Sequence, residues 1–273
     1  VQTCALPILQ VTVLASVNVQ ELTVASRLGL GCAAFGGSLS KENSKRAIEV
    51  AIDNGVEYFD TARSYGFGQS ERILGEVIRN RSRDRVVIAT KAGKQVQGLN
   101  SAVRWLRQRT PGWLKQAYRS RGKAVNTPYA GGDSGVGSLD VSDLKLSLDD
   151  SLGQLGTDYV DVFFLHAVRC SAITDEVLEF LEQSKQSGKI IHSGLASDRS
   201  DCFDAKSRGL PIDVFQCQSD MFGGEKSWRD LQGLGNVNVH SIFKRRAGFA
   251  TLVRSLLLGE MHLRTRCQEM LGH

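Results

Sequence analysis

The sequence has no long apolar run, no paired cysteine motif and no glycine motif of the dinucleotide-binding type. Charged or polar residues interrupt every apolar stretch before the roughly 18 residues that a membrane-spanning helix needs. The six cysteines are scattered, without a CxxC pair or a His/Cys spacing suited to zinc. We therefore expect no transmembrane segment, no bound metal, and buried thiols in a reducing cytoplasm.

No GxGxxG sequence follows a predicted strand, which argues against a Rossmann-type nucleotide domain. The 273 residues are 41% apolar and 23% charged, close to the average of globular proteins. This length suits one α/β barrel, whose usual size is roughly 250 residues. We expect a single barrel domain over residues 9–273, with a long loop over 95–139.

The net charge of +5 is a local property of the chain. Eight basic residues and no acidic residue lie between Lys94 and Lys123, so the rest of the sequence is slightly acidic. Nucleic acid is therefore not an expected partner.

The first eight residues, VQTCALPI, differ in character from the rest of the chain. A set of codons that would encode them resembles a sequencing adapter, so we expect residues 1–8 to be a non-native scar, with a genuine N-terminal tail as the alternative. The next stretch, Leu9–Ser26, alternates apolar and polar residues as a short hairpin does, and a hairpin here would plug the bottom of a barrel.

From Leu28 onward, short apolar strands alternate with amphipathic helices, the pattern of a parallel sheet with crossover connections. The predicted strands are 28–32, 56–60, 85–90, 159–165, 190–195, 214–218 and 237–243, and the predicted helices are 40–54, 70–78, 140–155, 174–187, 198–207 and 250–258. An eighth strand is not evident, because the tail MHLRTRCQEMLGH lacks a β-branched run. We predict a (β/α)8 TIM barrel whose eighth strand or C-terminal segment is missing or degenerate, and we expect a truncation or frame change there.

Three consecutive predicted strands carry an ionisable residue at the carboxyl end, namely Asp60, Lys91 and His166, and Tyr65 follows the first of them. One such residue usually means only that a strand has reached water. Three in register lie where barrel active sites are built. Reduction of a carbonyl creates an alkoxide that needs a proton donor, and a nearby ammonium lowers the pKa of a tyrosine toward the working range.

At these residues the sequence resembles the aldo-keto reductase superfamily, in particular its bacterial, aldose-dehydrogenase-like members. The runs GVEYFDTARSYGFGQSERILGEVI, VVIATKAG and LDDSLGQLGTDYVDVFFLH occur in family order, and the resemblance covers roughly residues 27–197. It implies a catalytic tetrad of Asp60, Tyr65, Lys91 and His166, with NADP(H) as cofactor and NAD(H) as a further possibility.

The resemblance weakens toward the cofactor. It implies that Ser197 and Gln216 bind the nicotinamide carboxamide, although Ala196–Ser197 stand where the family has Ser-Asn. Ser219 replaces the family's stacking aromatic residue, unless Phe222 takes that role. The residues implied to bind the pyrophosphate are Ser241, Phe243 and Lys244.

The long loop contains Trp105 and Trp113, which as part of a lid would line a substrate pocket; the alternative is a solvated insertion. The expected partner is a small carbonyl or sugar substrate, with no nucleic acid or membrane, and the expected assembly is a monomer or small homo-oligomer. Two other functions stay open: a non-catalytic nicotinamide-binding redox sensor and an inactive, truncated reductase.

Overall fold

The structure is a computed structural model, and it describes residues 10–15, 28–79, 81, 83–93, 139–219, 230–231 and 233–240. The strands are β1 (Gln10–Ala15), β2 (Leu28–Gly31), β3 (Tyr58–Asp60), β4 (Val87–Ala92), β5 (Val160–His166), β6 (Ile190–Ala196), β7 (Val214–Gln218) and β8 (Val237–His240). The helices are α1 (Lys41–Asp53), α2 (Gln69–Ile78), α3 (Val141–Leu155), α4 (Asp175–Gln186) and α5 (Arg199–Ser207). Short 3₁₀ helices occupy Tyr65–Gly68, Arg83–Arg85 and Cys170–Ala172.

The eight strands form a closed barrel in sequence order. Strands β2 to β8 are the seven predicted parallel strands, and each pairs in parallel with the next. The predicted TIM-barrel type of fold is therefore confirmed. Residues 241–273, which include the predicted helix 250–258, lie outside the described residues.

Strand β1 fills the eighth position of the barrel. It runs antiparallel to β2, with Val11 opposite Leu30, and antiparallel to β8, with Leu14 opposite Asn238. The expectation of a hairpin that plugs the barrel is therefore wrong for Gln10–Ala15, which form part of the wall. Pairing with β1 satisfies the two sheet edges that seven parallel strands alone leave open.

Helix boundaries follow local capping chemistry at several predicted positions. The hydroxyl of Ser40 accepts a hydrogen bond from the Asn43 backbone N–H at 3.2 Å at the start of α1. Asp140 caps α3 in the same way, and Gly156 ends that helix with a φ of 68°. The prediction that Ser70 caps α2 is wrong, because α2 begins one residue earlier and Gly68 occupies the N-cap position.

The barrel has two apolar regions separated by its wall. Side chains on the outer face of the strands pack against the helices, while a smaller interior group consists of Tyr58, Ala89, Val162, Phe164, Ala196 and Val214.

The four described cysteines are buried free thiols, as predicted. No helix in the described part of the chain combines the length and apolar character that crossing a membrane requires.

Candidate active site

Strand ends and one loop bring the predicted tetrad together at the carboxyl edge of the barrel. Asp60 and His166 are the last residues of β3 and β5, and Lys91 lies in β4, one residue before its end. Tyr65 begins the 3₁₀ helix that follows β3. Neighbouring parallel strands therefore supply three of the four side chains.

Lys91 lies at the centre of this group. Its ammonium forms a salt bridge with the carboxylate of Asp60 and donates a hydrogen bond to the Thr61 carbonyl at 3.1 Å. Lys91 and Asp60 are only 2% and 5% exposed, so each charge depends on the other for compensation. The Lys91 ammonium is thus held in place by Asp60 and Thr61 at the carboxyl edge of the barrel.

Tyr65 lies beside Lys91 and His166. The Lys91 Nζ atom is 5.2 Å from the centre of the Tyr65 ring. The rings of Tyr65 and His166 meet edge to face, with their centroids 6.1 Å apart and an interplanar angle of 89°. The phenol of Tyr65 therefore has an ammonium on one side and an imidazole on the other, two groups that interact electrostatically with a phenol.

The backbone just after His166 is in an uncommon conformation. Ala167 has a φ of 53°, in the left-handed region that residues with a Cβ rarely adopt. Its N–H donates to the Ala196 carbonyl at 2.7 Å, which joins the ends of β5 and β6. Backbone outliers of this kind cluster at functional sites.

Two predicted cofactor residues lie beside this group. Ser197 follows β6, its hydroxyl donates to the Val168 carbonyl at 2.8 Å, and its backbone N–H donates to the Gln216 carbonyl at 3.1 Å. Gln216, in β7, is 1% exposed, and its Nε2 atom has no hydrogen-bond partner among the described residues. A buried amide N–H without an acceptor fits a ligand that brings a carbonyl oxygen.

The other predicted cofactor and pocket residues cannot be placed in this geometry. Ser241, Phe243, Lys244, Trp105 and Trp113 lie outside the described residues. Phe222 does so as well. Ser219, which stands where the family has an aromatic residue, is 4% exposed and accepts a hydrogen bond from Arg199 Nη2 at 3.2 Å.

The sequence prediction missed a second set of polar residues next to the tetrad. Glu71 is completely buried and accepts a hydrogen bond from Thr90 Oγ1 at 2.6 Å. Burial raises the pKa of the Glu71 carboxyl, and the contacts with Thr90 and Arg63 only partly oppose this effect. One sequence signal could have identified Glu71. It is the charged residue of the run GQSE, which belongs to the segment that resembles the family.

A barrel with a Lys–Asp salt bridge, a tyrosine and a histidine at its carboxyl edge is the arrangement that the sequence predicts for an aldo-keto reductase. Residues 27–240 match the family model described as "Aldo/keto reductase family". The chain therefore belongs to the aldo/keto reductase family, and the predicted resemblance is confirmed.

Known relatives and structures agree with this assignment. The chain is 26% identical over 242 residues to the aldo-keto reductase YhdN of Bacillus subtilis, covering 87% of this chain and 61% of that protein.

The thermostable aldo-keto reductase Tm1743, crystallised with the inhibitor epalrestat, has a TM-score of 0.56 at 22% identity, covering 80% of this chain and 68% of that one. An aldo-keto reductase from Klebsiella pneumoniae in complex with NADPH has a TM-score of 0.50 at 22% identity, covering 76% and 60%. The structural similarities support the barrel fold. The chain spans about half to three fifths of the length of the first curated relatives that it matches.

Proposed function

We propose that this chain is an oxidoreductase that uses NADP(H) to interconvert a carbonyl group and an alcohol in a small aldehyde, ketone or sugar. The observation that carries the proposal is the grouping of Asp60, Tyr65, Lys91 and His166 at one barrel edge. NAD(H) is the alternative cofactor.

The cofactor fits the site through Gln216. Its unpartnered Nε2–H is suited to donate to the carboxamide oxygen of a nicotinamide. The Ser197 hydroxyl donates its proton to the Val168 carbonyl, so its oxygen is the atom proposed to accept from the carboxamide N–H. When bound, the nicotinamide supplies or accepts the hydride. Ser241, Phe243 and Lys244 remain the residues proposed to hold its pyrophosphate.

Tyr65 is the proposed general acid in the reductive direction and the general base in the oxidative direction. The substrate oxygen accepts the phenolic proton, and the Lys91 ammonium stabilises the phenolate that remains. Asp60 holds the Lys91 ammonium in position through their salt bridge, and His166 donates a hydrogen bond that orients the substrate oxygen. This assignment gives each of the four side chains a distinct role.

The test compares the wild-type protein with Tyr65→Phe, which removes the phenolic oxygen and keeps the ring. We expect NADPH to quench tryptophan fluorescence with a similar Kd in both proteins. Turnover of an aldehyde panel should fall by about a thousandfold in the variant, as loss of a general acid predicts.

The same experiment separates the alternatives. Stoichiometric NADPH binding without turnover by the wild type would favour a redox sensor. Absence of binding of both NADPH and NADH would contradict the proposal, because the Gln216 site would then not serve a nicotinamide. Equal turnover by wild type and Tyr65→Phe would remove Tyr65 from the reaction.

A further inference from the structure

The tetrad leaves one buried acidic residue beside it without a role. Glu71 lies in the first turn of α2 and is 0% exposed. Burying a carboxyl group is costly unless other groups compensate for its lost contacts with water.

One oxygen of Glu71 holds the strand that carries Lys91. Glu71 Oε1 accepts the hydrogen bond from Thr90 Oγ1 at 2.6 Å, and Thr90 directly precedes Lys91 in β4. Thr90 is itself fully buried. Helix α2 is therefore joined to β4 one residue away from the ammonium that contacts Tyr65.

The other oxygen of Glu71 faces the loop that carries Tyr65. Glu71 Oε2 forms an ion pair with Arg63 Nη1 at 3.7 Å, and Arg63 Nη2 binds Asp150 Oδ2 of α3 at 2.6 Å. The backbone N–H of Arg63 also donates to the Lys91 carbonyl at 3.3 Å. Arg63 precedes Tyr65 by two residues, so the ion pair connects α2 to the loop that carries Tyr65, although Oε2 accepts no hydrogen bond among the described residues.

The neighbour of Glu71 fixes the same loop at a second point. Ser70 Oγ lies 2.9 Å from Thr61 Oγ1 and donates to the Cys32 carbonyl at 3.0 Å. The loop between Thr61 and Ser70 is thus closed by side chains from the first turn of α2. Tyr65 lies in the middle of this closed segment.

We propose that Glu71 is a positioning residue that sets the distance between Tyr65 and Lys91, by holding β4 through Thr90 and the Tyr65 loop through Arg63. This proposal rests on the proposed function, since it assigns Glu71 a role in that reaction. Glu71 does not touch the reacting atoms. It acts by keeping the phenol within the electrostatic reach of the ammonium.

The variants are Glu71→Ala, which removes both contacts, and Glu71→Gln, which keeps an acceptor for Thr90 and loses the charge that faces Arg63. Thr90→Val removes the same hydrogen bond from its other end and keeps the shape of the side chain. This third variant tests the proposal independently if Glu71→Ala folds poorly.

The main readout is the titration of Tyr65, which requires no substrate. The ultraviolet absorbance of tyrosinate is followed against pH for each variant and for the same variant carrying Tyr65→Phe, and the difference isolates Tyr65. We expect Glu71→Ala to move the midpoint upward by about one pH unit, a tenfold change in proton affinity, because the phenol moves away from the ammonium. Thr90→Val should give a smaller shift in the same direction, and Glu71→Gln should remain nearer to the wild type.

The second readout is turnover. We expect Glu71→Ala to lower kcat about tenfold and to change the Kd of NADPH less than twofold, because the proton donor moves while the Gln216 site does not. Glu71→Gln should recover most of kcat. A parallel rise in Kd and fall in kcat would instead indicate a general loss of structure and would overturn the positioning role.

The matched control is Asp161→Asn. Asp161, like Glu71, is an acidic residue with an arginine partner, Arg83 Nη2 at 2.6 Å, but it is only partly buried. It also accepts a hydrogen bond from the Ile88 backbone N–H at 2.8 Å. It therefore holds β4 at the amino end, away from the tetrad. Its replacement should lower the melting temperature without moving the Tyr65 midpoint.

If Glu71→Ala behaves like Asp161→Asn, with lower stability and an unchanged Tyr65 titration, Glu71 is only structural and the proposal is wrong. If the wild type shows no turnover, the proposed function fails, but the tyrosinate titration still decides whether Glu71 positions Tyr65. The two failures are thus distinguishable.

Discussion

The barrel has two sides that are built differently. On the tetrad side, formed by β3 to β6, strands run parallel and buried side chains such as Glu71 and Thr90 connect them to the helix layer. On the closing side, formed by β8, β1 and β2, a single antiparallel strand joins both edges through short overlaps. The comparison indicates that the positions of Asp60, Lys91 and His166 depend on the first side, whereas closure of the barrel depends on the second.

The largest expected effect tests closure. Val13 is the residue of β1 that stands opposite both Leu28 in β2 and Val239 in β8. Val13→Pro removes the backbone N–H of this residue. One backbone carbonyl in β2 or β8 then loses its hydrogen-bond donor. We expect the free energy of unfolding to fall by about 3 kcal/mol, measured by urea denaturation.

The matched control for this change is Gln10→Pro. Gln10 is the first residue of β1 and stands opposite Gly31 only. Proline is tolerated at the first position of a strand, so we expect a loss below about 1 kcal/mol. Equal losses at Val13 and Gln10 would contradict a closing role for β1.

The next effect tests the tetrad side at Gly66, which follows Tyr65. Gly66 has a φ of 55°, and a Cβ atom there would lie 2.0 Å from the Phe35 carbonyl oxygen. Gly66→Ala must therefore shift the Tyr65 loop and add about 1–2 kcal/mol of left-handed strain. We expect kcat/KM for a turned-over aldehyde to fall about tenfold, a change of about 1.4 kcal/mol.

Gly37→Ala is the control for Gly66→Ala, because the Cβ atom there would meet its nearest neighbour at 3.4 Å. This variant should keep kcat/KM within about twofold. A Gly66→Ala protein with wild-type kcat/KM would show that the Tyr65 loop tolerates displacement. Activity would then not depend on the exact geometry of the tetrad side, which would contradict the comparison of the two sides.

The strand-end positions of Asp60, Lys91 and His166 and most of the strands could be predicted from the sequence because their signals are local. Asp60 and His166 end apolar runs, and the structure ends β3 and β5 at these residues. The sequence pattern predicts that the strand ends at residue 90, just before Lys91. In the structure β4 continues through Ala92, so Lys91 still lies at the carboxyl edge of the barrel. Parallel strands in register then bring these side chains together without further information.

The closing strand and the Glu71 contacts could not be predicted in this way, because each depends on residues far apart in sequence. Alternation in Gln10–Ala15 indicates a strand but not its partners, which lie in β2 and β8. Ser70 has the residue type of a helix cap, yet its hydroxyl bonds Thr61 and Cys32 instead. A capping residue and a buried bridging residue look alike until the fold places their neighbours.

The smallest expected effect concerns the outer surface of the tetrad side. Glu76 of α2 binds Lys41 and Lys45 of α1, with Oε2 at 2.8 Å and 2.7 Å from their Nζ atoms. Hydrogen bonds from these lysines lower the pKa of the Glu76 carboxyl from 4.5 to about 2. Because the pKa is lower in the folded state, this contribution to stability is complete above the unfolded value of 4.5 and is lost as the pH falls toward about 2.

Glu76→Gln should remove that contribution. The side chain is 26% exposed, so solvent screens the ion pairs, and we expect a loss below about 1 kcal/mol near neutral pH. The difference in unfolding free energy between wild type and variant should narrow as the pH falls, and 1 M salt, where the screening length is about 3 Å, should reduce it. If the difference in unfolding free energy persists unchanged in acid and in salt, Glu76 stabilises the helix pair by packing and not by charge. The outer surface of the tetrad side would then depend on packing, as its interior does.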